Sequence, residues 1–150
     1  MKALVVYNSI AQGNTAKIAK VIARVLEAKL LKPSEISEEM VRECSLMGFG
    51  SGIYFQKHHR SLHTLVAQLS DVEGKKAFIF STSGWGNTKY NEPFSRLLVA
   101  RGFKVVGSFS CKGFDGYGFV KHLGGVNKGR PDEEDIHKAE AFAESLKTAY

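Results

Sequence analysis

The stretch from Val5 to Ala19, VVYNSIAQGNTAKIA, constrains this chain more than any other. The apolar run Leu4-Val5-Val6 predicts a strand. The polar residues after it end in Gly13-Asn14-Thr15, where an amphipathic helix begins. A strand that feeds a helix through a short turn is half of a right-handed crossover between parallel strands. The turn also has the parts of an anion cradle. Backbone N–H groups at the helix start, the positive end of the helix dipole and the side chains of Ser9, Asn14 and Thr15 can converge on one phosphate. There is no Lys before Thr15 and no second Gly, which excludes the nucleotide P-loop and the dinucleotide glycine pattern. A phosphate site without its own Lys suits a cofactor monophosphate. An ordinary strand-to-helix turn capped by Asn14 would use the same residues, and the loop by itself leaves both readings open.

Strand and helix patterns alternate along the rest of the chain. Ile18, Val21, Ile22, Val25 and Leu26 share one face of a helix spanning Asn14 to Leu30. A short extended piece, Leu30–Lys32, is ended by Pro33, and Ser37 caps a short helix that carries Met40 and Val41. Ser45–Gly50 reads as a strand, followed by the glycine-punctuated turn 51–55 and a helix marked by Leu62, Leu65, Val66 and Leu69. Lys76–Ser81 reads as a buried strand and Thr82–Tyr90 as a polar loop. A helix opens at Pro93 and closes at Gly102, and Phe103–Phe109 is a fifth strand. A long glycine-rich connection, Cys111 to Pro131, precedes a last helix that begins with Asp132-Glu133-Glu134-Asp135. Loops of that length are usually functional or mobile. Five strands alternating with five helices predict a single α/β domain over residues 1–150, a three-layer α/β/α sandwich around a five-stranded parallel sheet.

Composition narrows the function classes. A content of 43% hydrophobic and 24% charged residues is that of an ordinary globular domain, which sets disorder aside. No apolar run approaches the ~18 residues of a membrane span, and the start lacks a signal-peptide core. Cys44 and Cys111 are isolated thiols rather than a disulfide framework. Together these predict a cytoplasmic protein with no membrane association. The net charge of +6 is spread rather than clustered in an arm. Mild concentrations lie at Lys57-His58-His59-Arg60 with His63, and at Lys112, Lys121, Lys128 and Arg130. Each reads as a solvated rim or as a dock for an acidic partner. Aromatic residues do not interleave with these cations, which argues against nucleic acid.

In open α/β sheets, ligands bind beyond the carboxyl ends of the strands. Besides the phosphate turn, two loops leave such ends. Ser51–Lys57 carries adjacent Tyr54 and Phe55, and Thr82–Tyr90 carries the only Trp, Trp85, between Gly84 and Gly86. Aromatic rings at strand ends either pack on neighbouring loops or cover something flat, and a ring stacked between aromatics gains roughly 0.5–1.5 kcal/mol per contact. Three loops agreeing on one edge favour a site for one phosphate and one large planar ring.

On these segments the chain resembles a flavodoxin over nearly its whole length. YNSIAQGNT resembles the family's phosphate loop, FGSGIYF its first ring-flanking loop and STSGWG its second, while GGVNKGRPDEED resembles short members of the family. The resemblance implies the flavodoxin-like strand order 2-1-3-4-5 and an FMN cofactor. Ser9, Ile10, Ala11, Gln12, Gly13, Asn14 and Thr15 would hold its phosphate. Tyr54 and Trp85 would flank the ring. Ser51, Gly52, Ile53, Phe55, Thr82, Ser83, Gly84 and Gly86 would line the ring and ribityl chain. The chain departs from the family pattern in four ways. The phosphate loop is one residue longer, with Gln12 in place of a hydroxyl residue. Phe55 replaces a Gly whose peptide turns toward the flavin through positive φ, a conformation a bulky residue resists. Residues 81–89 contain no carboxylate, and the chain is basic where the family is mostly acidic.

The resemblance implies an electron carrier serving a redox partner protein with an acidic docking face. An enzyme reading competes with it: a flavin reductase acting on a quinone or another small conjugated acceptor, with His58, His59 or Tyr117 as proton source. A phosphoacceptor receiver domain shares the fold, but it needs carboxylates after the first strand, and residues 5–14 have none.

Overall fold

The computed structural model of the protein describes residues 2–9, 13–113 and 129–148. Among the described residues, six strands, β1 (Ala3–Asn8), β2 (Lys29–Leu31), β3 (Leu46–Tyr54), β4 (Lys57–His58), β5 (Lys76–Ser83) and β6 (Lys104–Lys112), are interspersed with five helices. The helices are α1 (Asn14–Leu26), α2 (Glu38–Glu43), α3 (Arg60–Gln68), α4 (Glu92–Arg101) and α5 (Glu133–Leu146), and 3-10 turns cover Pro33–Glu35 and Thr88–Asn91. The sheet runs β2-β1-β3-β5-β6, every pair parallel. With β4 set aside, the five parallel strands have the expected order 2-1-3-4-5. The extra strand is a two-residue arm that folds back antiparallel on the end of β3.

Each sheet face buries its own core. On one, Leu4, Val6, Met47, Phe49 and Ile79 meet Val41 of α2, Leu62, Leu65 and Val66 of α3, and Phe94 and Leu98 of α4. On the other, Val5, Phe78 and Phe80 meet Ile18 and Ile22 of α1 and Ala139, Ala143 and Leu146 of α5. The second face depends on missing side chains in β3. A Cβ on Gly48 would lie 2.0 Å from the Phe78 ring, and one on Gly50 would lie 2.1 Å from the Phe80 ring. The two rings therefore lie flat across β3, beneath α1 and α5.

Several boundaries differ from the sequence reading. α1 stops at Leu26 rather than Leu30. Glu27 takes a left-handed conformation at φ 53, and Ala28 N–H bonds back to Ala23 O at 2.8 Å. That turn lets Lys29–Leu31 pair with β1, so tertiary pairing overrides helical periodicity here. β3 continues through the glycine-punctuated segment to Tyr54, because pairing with β1 and β5 persists to Ser51 and Gly52. The expected Ser37 cap and Gly102 stop hold, and the acids expected at the start of the last helix include a capping pair. Ser37 accepts Met40 N–H, Gly102 closes α4 at φ 109, and Asp132 and Asp135 form a reciprocal capping box on α5. Arg130 also grips the buried Asp135 carboxylate, with Nη2 to Oδ1 at 2.6 Å. Burial alone would raise the Asp135 pKa, and Arg130 with the Asp132 N–H draws it net below the ordinary carboxylate value.

The glycine requirement is open to test. Gly48→Ala should cost about 1–3 kcal/mol through overpacking, read as a lower midpoint in urea. Gly48→Ala with Phe78→Leu should regain part of that loss, because the clash is with the Phe78 ring.

Candidate functional site

A polar row crosses the carboxyl edge of the sheet just where the core ends. Asn8, Ser51, Ser81 and Ser110 are register partners on β1, β3, β5 and β6. One residue earlier on each strand lie Tyr7, Gly50, Phe80 and Phe109, so the edge changes from aromatic packing to hydroxyl and amide groups within a single step. Beyond this row the three predicted loops emerge.

The first loop enters α1 through Gly13 at φ 70, with Asn14 as the first helical residue and no side-chain cap from Gly13. The reading of Asn14 as the cap is thereby replaced. Ser9 Oγ instead reaches forward to accept Ala16 N–H at 3.2 Å. The first turn of α1 has no acidic residue, whereas α2, α4 and α5 all carry one or more. The positive end of the α1 dipole is therefore not neutralised from within its own turn. Thr15 is buried, and its hydroxyl is 2.9 Å from that of Thr82 at the end of β5. Ile10, Ala11 and Gln12 lie outside the described residues.

The loop after β5 is tied on both sides. Ser83 Oγ accepts Gly86 N–H at 2.8 Å, Ser110 Oγ donates to Gly86 O at 3.0 Å, and Gly113 N–H donates to Ser83 O at 3.0 Å. Gly86 sits at φ 63 with Lys112 and Cys111 so close that any Cβ would fall within about 3.0 Å of them. Trp85 is thus fixed at the tip of a short bonded turn, and it stands 79% exposed. Gly84 lies beside it in the same turn. Gly113, at the end of β6, packs against the Asn14 side chain, where a Cβ would approach Nδ2 to 2.7 Å. The Thr15–Thr82 bond and this contact bring the first and third loops together at one edge.

The second loop is a hairpin that the sequence did not suggest. Ile53 pairs with His58 and Tyr54 with Lys57, leaving Phe55 and Gln56 as a two-residue turn. Both have positive φ, 51 and 68. Such turns favour Asn and Gly, and a residue with a full side chain in this region costs roughly 1–2 kcal/mol. The expected resistance of Phe55 to positive φ is overcome by the pairing on either side. Phe55 is 99% exposed, while the Tyr54 ring packs edge-on to His59, with centroids 5.4 Å apart. The Tyr54 hydroxyl lies over Gly52, 3.1 Å from where a Cβ would stand. Two ties hold the hairpin. Ser51 Oγ accepts His59 N–H at 2.9 Å while donating to Gly52 O, and His58 Nε2 donates to Phe80 O at 3.0 Å.

His58 corrects the sequence reading of a basic rim at 57–63. It is buried, with 3% of its surface exposed. A carbonyl only accepts, so Nε2 carries the proton and Nδ1 is a bare acceptor, without a partner among the described residues. Burial holds its pKa down at about 4, and His63 adds to the depression. His59 and His63 are half-buried, and His59 Nδ1 accepts from Ser61 N–H at 3.0 Å. Of that cluster, Lys57 and Arg60 are exposed. Lys121, Lys128 and Tyr117 lie outside the described residues. Cys44 and Cys111 are free and buried, and burial followed by the Asp135 charge pushes the Cys111 thiol up to about 12. Groups of three or more metal-ligating residues are absent among the described residues, and no helix among them is long and apolar enough to cross a membrane.

The flavodoxin domain model matches residues 4–107. An uncharacterized protein of Methanocaldococcus jannaschii is 45% identical over 148 residues, covering 97% of this chain and 98% of that protein. Among solved structures, a flavodoxin from the domain Archaea superposes with a TM-score of 0.69 at 20% identity, covering 98% of this chain and 99% of the other. Oxidised flavodoxin 2 from Bacillus cereus superposes with a TM-score of 0.70 at 21% identity, over 100% of both chains.

The neutral His58 makes stability depend on pH. Its folded pKa of about 4 lies below the ordinary 6.5, so the unfolded chain binds the extra proton first. The contribution is complete above about pH 6.5 and falls as pH drops toward 4, by up to roughly 3 kcal/mol. Urea unfolding at a series of pH values should show this decline, and His58→Gln should flatten it.

Proposed function

The chain belongs to the flavodoxin family, and from that premise we propose that it binds FMN at the carboxyl edge and carries electrons to a partner redox protein in the cytoplasm. The observation that carries the reading is the junction of the α1 start with the Trp85 loop. The first turn of α1 has no acidic residue, Ser9 caps Ala16 N–H there, Thr15 meets Thr82, and Thr82 leads into the turn that fixes Trp85. Asn8 Oδ1 and Ser81 Oγ, buried and without partners among the described residues, add polar positions on the same edge. This donor set suits a phosphate attached to a hydroxylated chain and a flat ring.

FMN, when bound, supplies the redox chemistry. In this assignment Ser9, Ile10, Ala11, Gln12, Gly13, Asn14 and Thr15 receive the phosphate through backbone N–H and hydroxyl groups. Tyr54 and Trp85 flank the ring and exclude water from its faces. Ser51, Gly52, Ile53, Phe55 through its backbone, Thr82, Ser83, Gly84 and Gly86 line the remaining contacts. Ser83 and Ser110 act through Gly86, holding the Trp85 turn in one shape.

A carrier fits the geometry better than a reductase with its own proton source. His58, one of the candidate proton sources, is buried and has its one N–H committed to Phe80 O. Residues 44–70 and 74–91 contain no carboxylate, so the two ring loops lack the anions that disfavour a negatively charged reduced ring. One charge at ~10 Å with an effective ε of ~20 is worth roughly 1–2 kcal/mol, about 50–80 mV for one electron. The protein should therefore be a weaker reductant than an acidic flavodoxin, with a higher midpoint for full reduction in spectroelectrochemistry.

Titration with FMN should yield a yellow protein with one flavin per chain. Thr15→Ala should weaken retention roughly ten- to a hundredfold, the worth of a hydrogen bond to a charged group, while Cys44→Ala should leave it unchanged. A wild-type protein that takes up no flavin would overturn the assignment.

A further inference from the structure

The most exposed large apolar side chain in the described structure, Phe55, sits at the tip of the hairpin whose backbone is least suited to it. Phe55 and Gln56 both lie in the left-handed region, at φ 51 and 68. Neither is Gly or Asn, the residues that adopt that region readily. The hairpin is held from below by the Ser51–His59 and His58–Phe80 bonds, so the unfavourable turn is imposed by its surroundings. Strain of this kind persists where the structure over-determines it, and it is concentrated at functional positions. The ring is 99% exposed, so the described structure gains no burial from it.

The charges of its own hairpin and of the start of α3 are of one sign. Lys57 and Arg60 are exposed beside the tip, and no Asp or Glu occurs between Cys44 and Ser70. Trp85, 79% exposed at the end of β5, and Lys89, also exposed, extend the same character on the neighbouring loop, where residues 74–91 again have no carboxylate. A second copy of this chain would bring the same cations against these, so self-association here is electrostatically opposed. A partner with carboxylates around an apolar socket is complementary in both respects.

Building on the carrier reading, we propose that Phe55 is a docking anchor, inserting into an apolar, carboxylate-rimmed socket on a small acidic electron-transfer protein. Lys57 and Arg60 steer the encounter, and Phe55 supplies the buried contact once the surfaces meet. With FMN bound, the dock would serve passage of one electron between the flavin and the partner's centre, in either direction, with no bond made or broken. Residues Phe55–Arg60 thus serve recognition, whereas Tyr54 and Trp85 serve the ring.

The test uses the flavin-loaded protein in stopped flow, following bleaching of the flavin band. The reductants are an acidic [4Fe–4S] ferredoxin, pre-reduced, and reduced methyl viologen as a small carrier that needs no dock. Phe55→Asn should lower the second-order rate with the ferredoxin about tenfold more than any drop with methyl viologen, the scale of a truncated interface anchor. Phe55→Leu should keep most of the rate. Val99→Ser, which removes a 58% exposed apolar residue on α4, should change neither rate. Added salt should slow the wild-type reaction with the ferredoxin. Because Asn accepts positive φ, Phe55→Asn should also raise the melting temperature of the flavin-free protein. Equal losses with both reductants, an unchanged rate with the ferredoxin, or a lower melting temperature would each overturn the proposal. So would a wild-type dimer in sedimentation that Phe55→Asn dissolves, since the occupant would then be a second copy. Failure of the carrier reading shows separately, as no flavin uptake by the wild type. Calorimetric binding of the ferredoxin to the wild type and not to Phe55→Asn then decides docking without flavin.

Discussion

β3 is the strand on which the rest of the arrangement depends, because it pairs with β1 on one side and β5 on the other. It therefore fixes the spacing between the phosphate-loop strand and the strand that leads to Trp85. Its side chains are divided by face. Met47 and Phe49 fill the core under α2, α3 and α4, while Gly48 and Gly50 leave the opposite face bare for Phe78 and Phe80. That bareness lets two large rings of β5 lie flat, and α1 packs above them. The start of α1 then comes close enough to β5 for the Thr15 and Thr82 hydroxyls to meet at 2.9 Å. The site is thus a consequence of core packing two turns of the chain away.

Much of this was legible in the sequence because the signals were local. The helical stripe from Ile18 to Leu26, the Ser37 cap, Gly102 and the Asp132–Asp135 pair each specify their own neighbourhood. What was not legible depended on distant partners. The end of α1 is decided by β1, which recruits Lys29–Leu31, and nothing near Glu27 announces it. The continuation of β3 beyond Gly50, through Gly52 to Tyr54, comes from pairing with β1 and β5, since glycine by itself disfavours strands. The hairpin at Phe55–Gln56 escaped notice because its residues are the wrong ones for such a turn. Its cause lies in Ser51 and in the Phe80 carbonyl.

His58 shows how one residue can be misread by composition. In the run Lys57-His58-His59-Arg60 it belongs to a basic patch, yet strand alternation turns it inward while its neighbours Lys57 and Arg60 stay outside. Once inside, its hydrogen bond to a carbonyl sets the tautomer, and burial keeps it neutral. A basic-looking segment is therefore two things at once: a charged outer rim and an uncharged pin beneath it.

That division explains how a strained turn can be kept at the edge of a site. A two-residue turn with side chains in the left-handed region would relax if its arms were free. Here one arm extends from the part of β3 that is buried through Ser51 and paired on both sides, and the other is clamped by two hydrogen bonds to polar groups that have little alternative. Ser51 is fully buried, and Phe80 O lies within the central sheet. Releasing the turn would leave the Phe80 carbonyl and the His58 N–H to find new partners in a dry interior, at about 1–3 kcal/mol for each group left unsatisfied. This is comparable to the strain itself. The hairpin is held because two satisfied buried bonds outweigh two unfavourable backbone conformations. The balance is narrow enough that a single substitution at its tip changes the stability of the turn without disturbing the sheet.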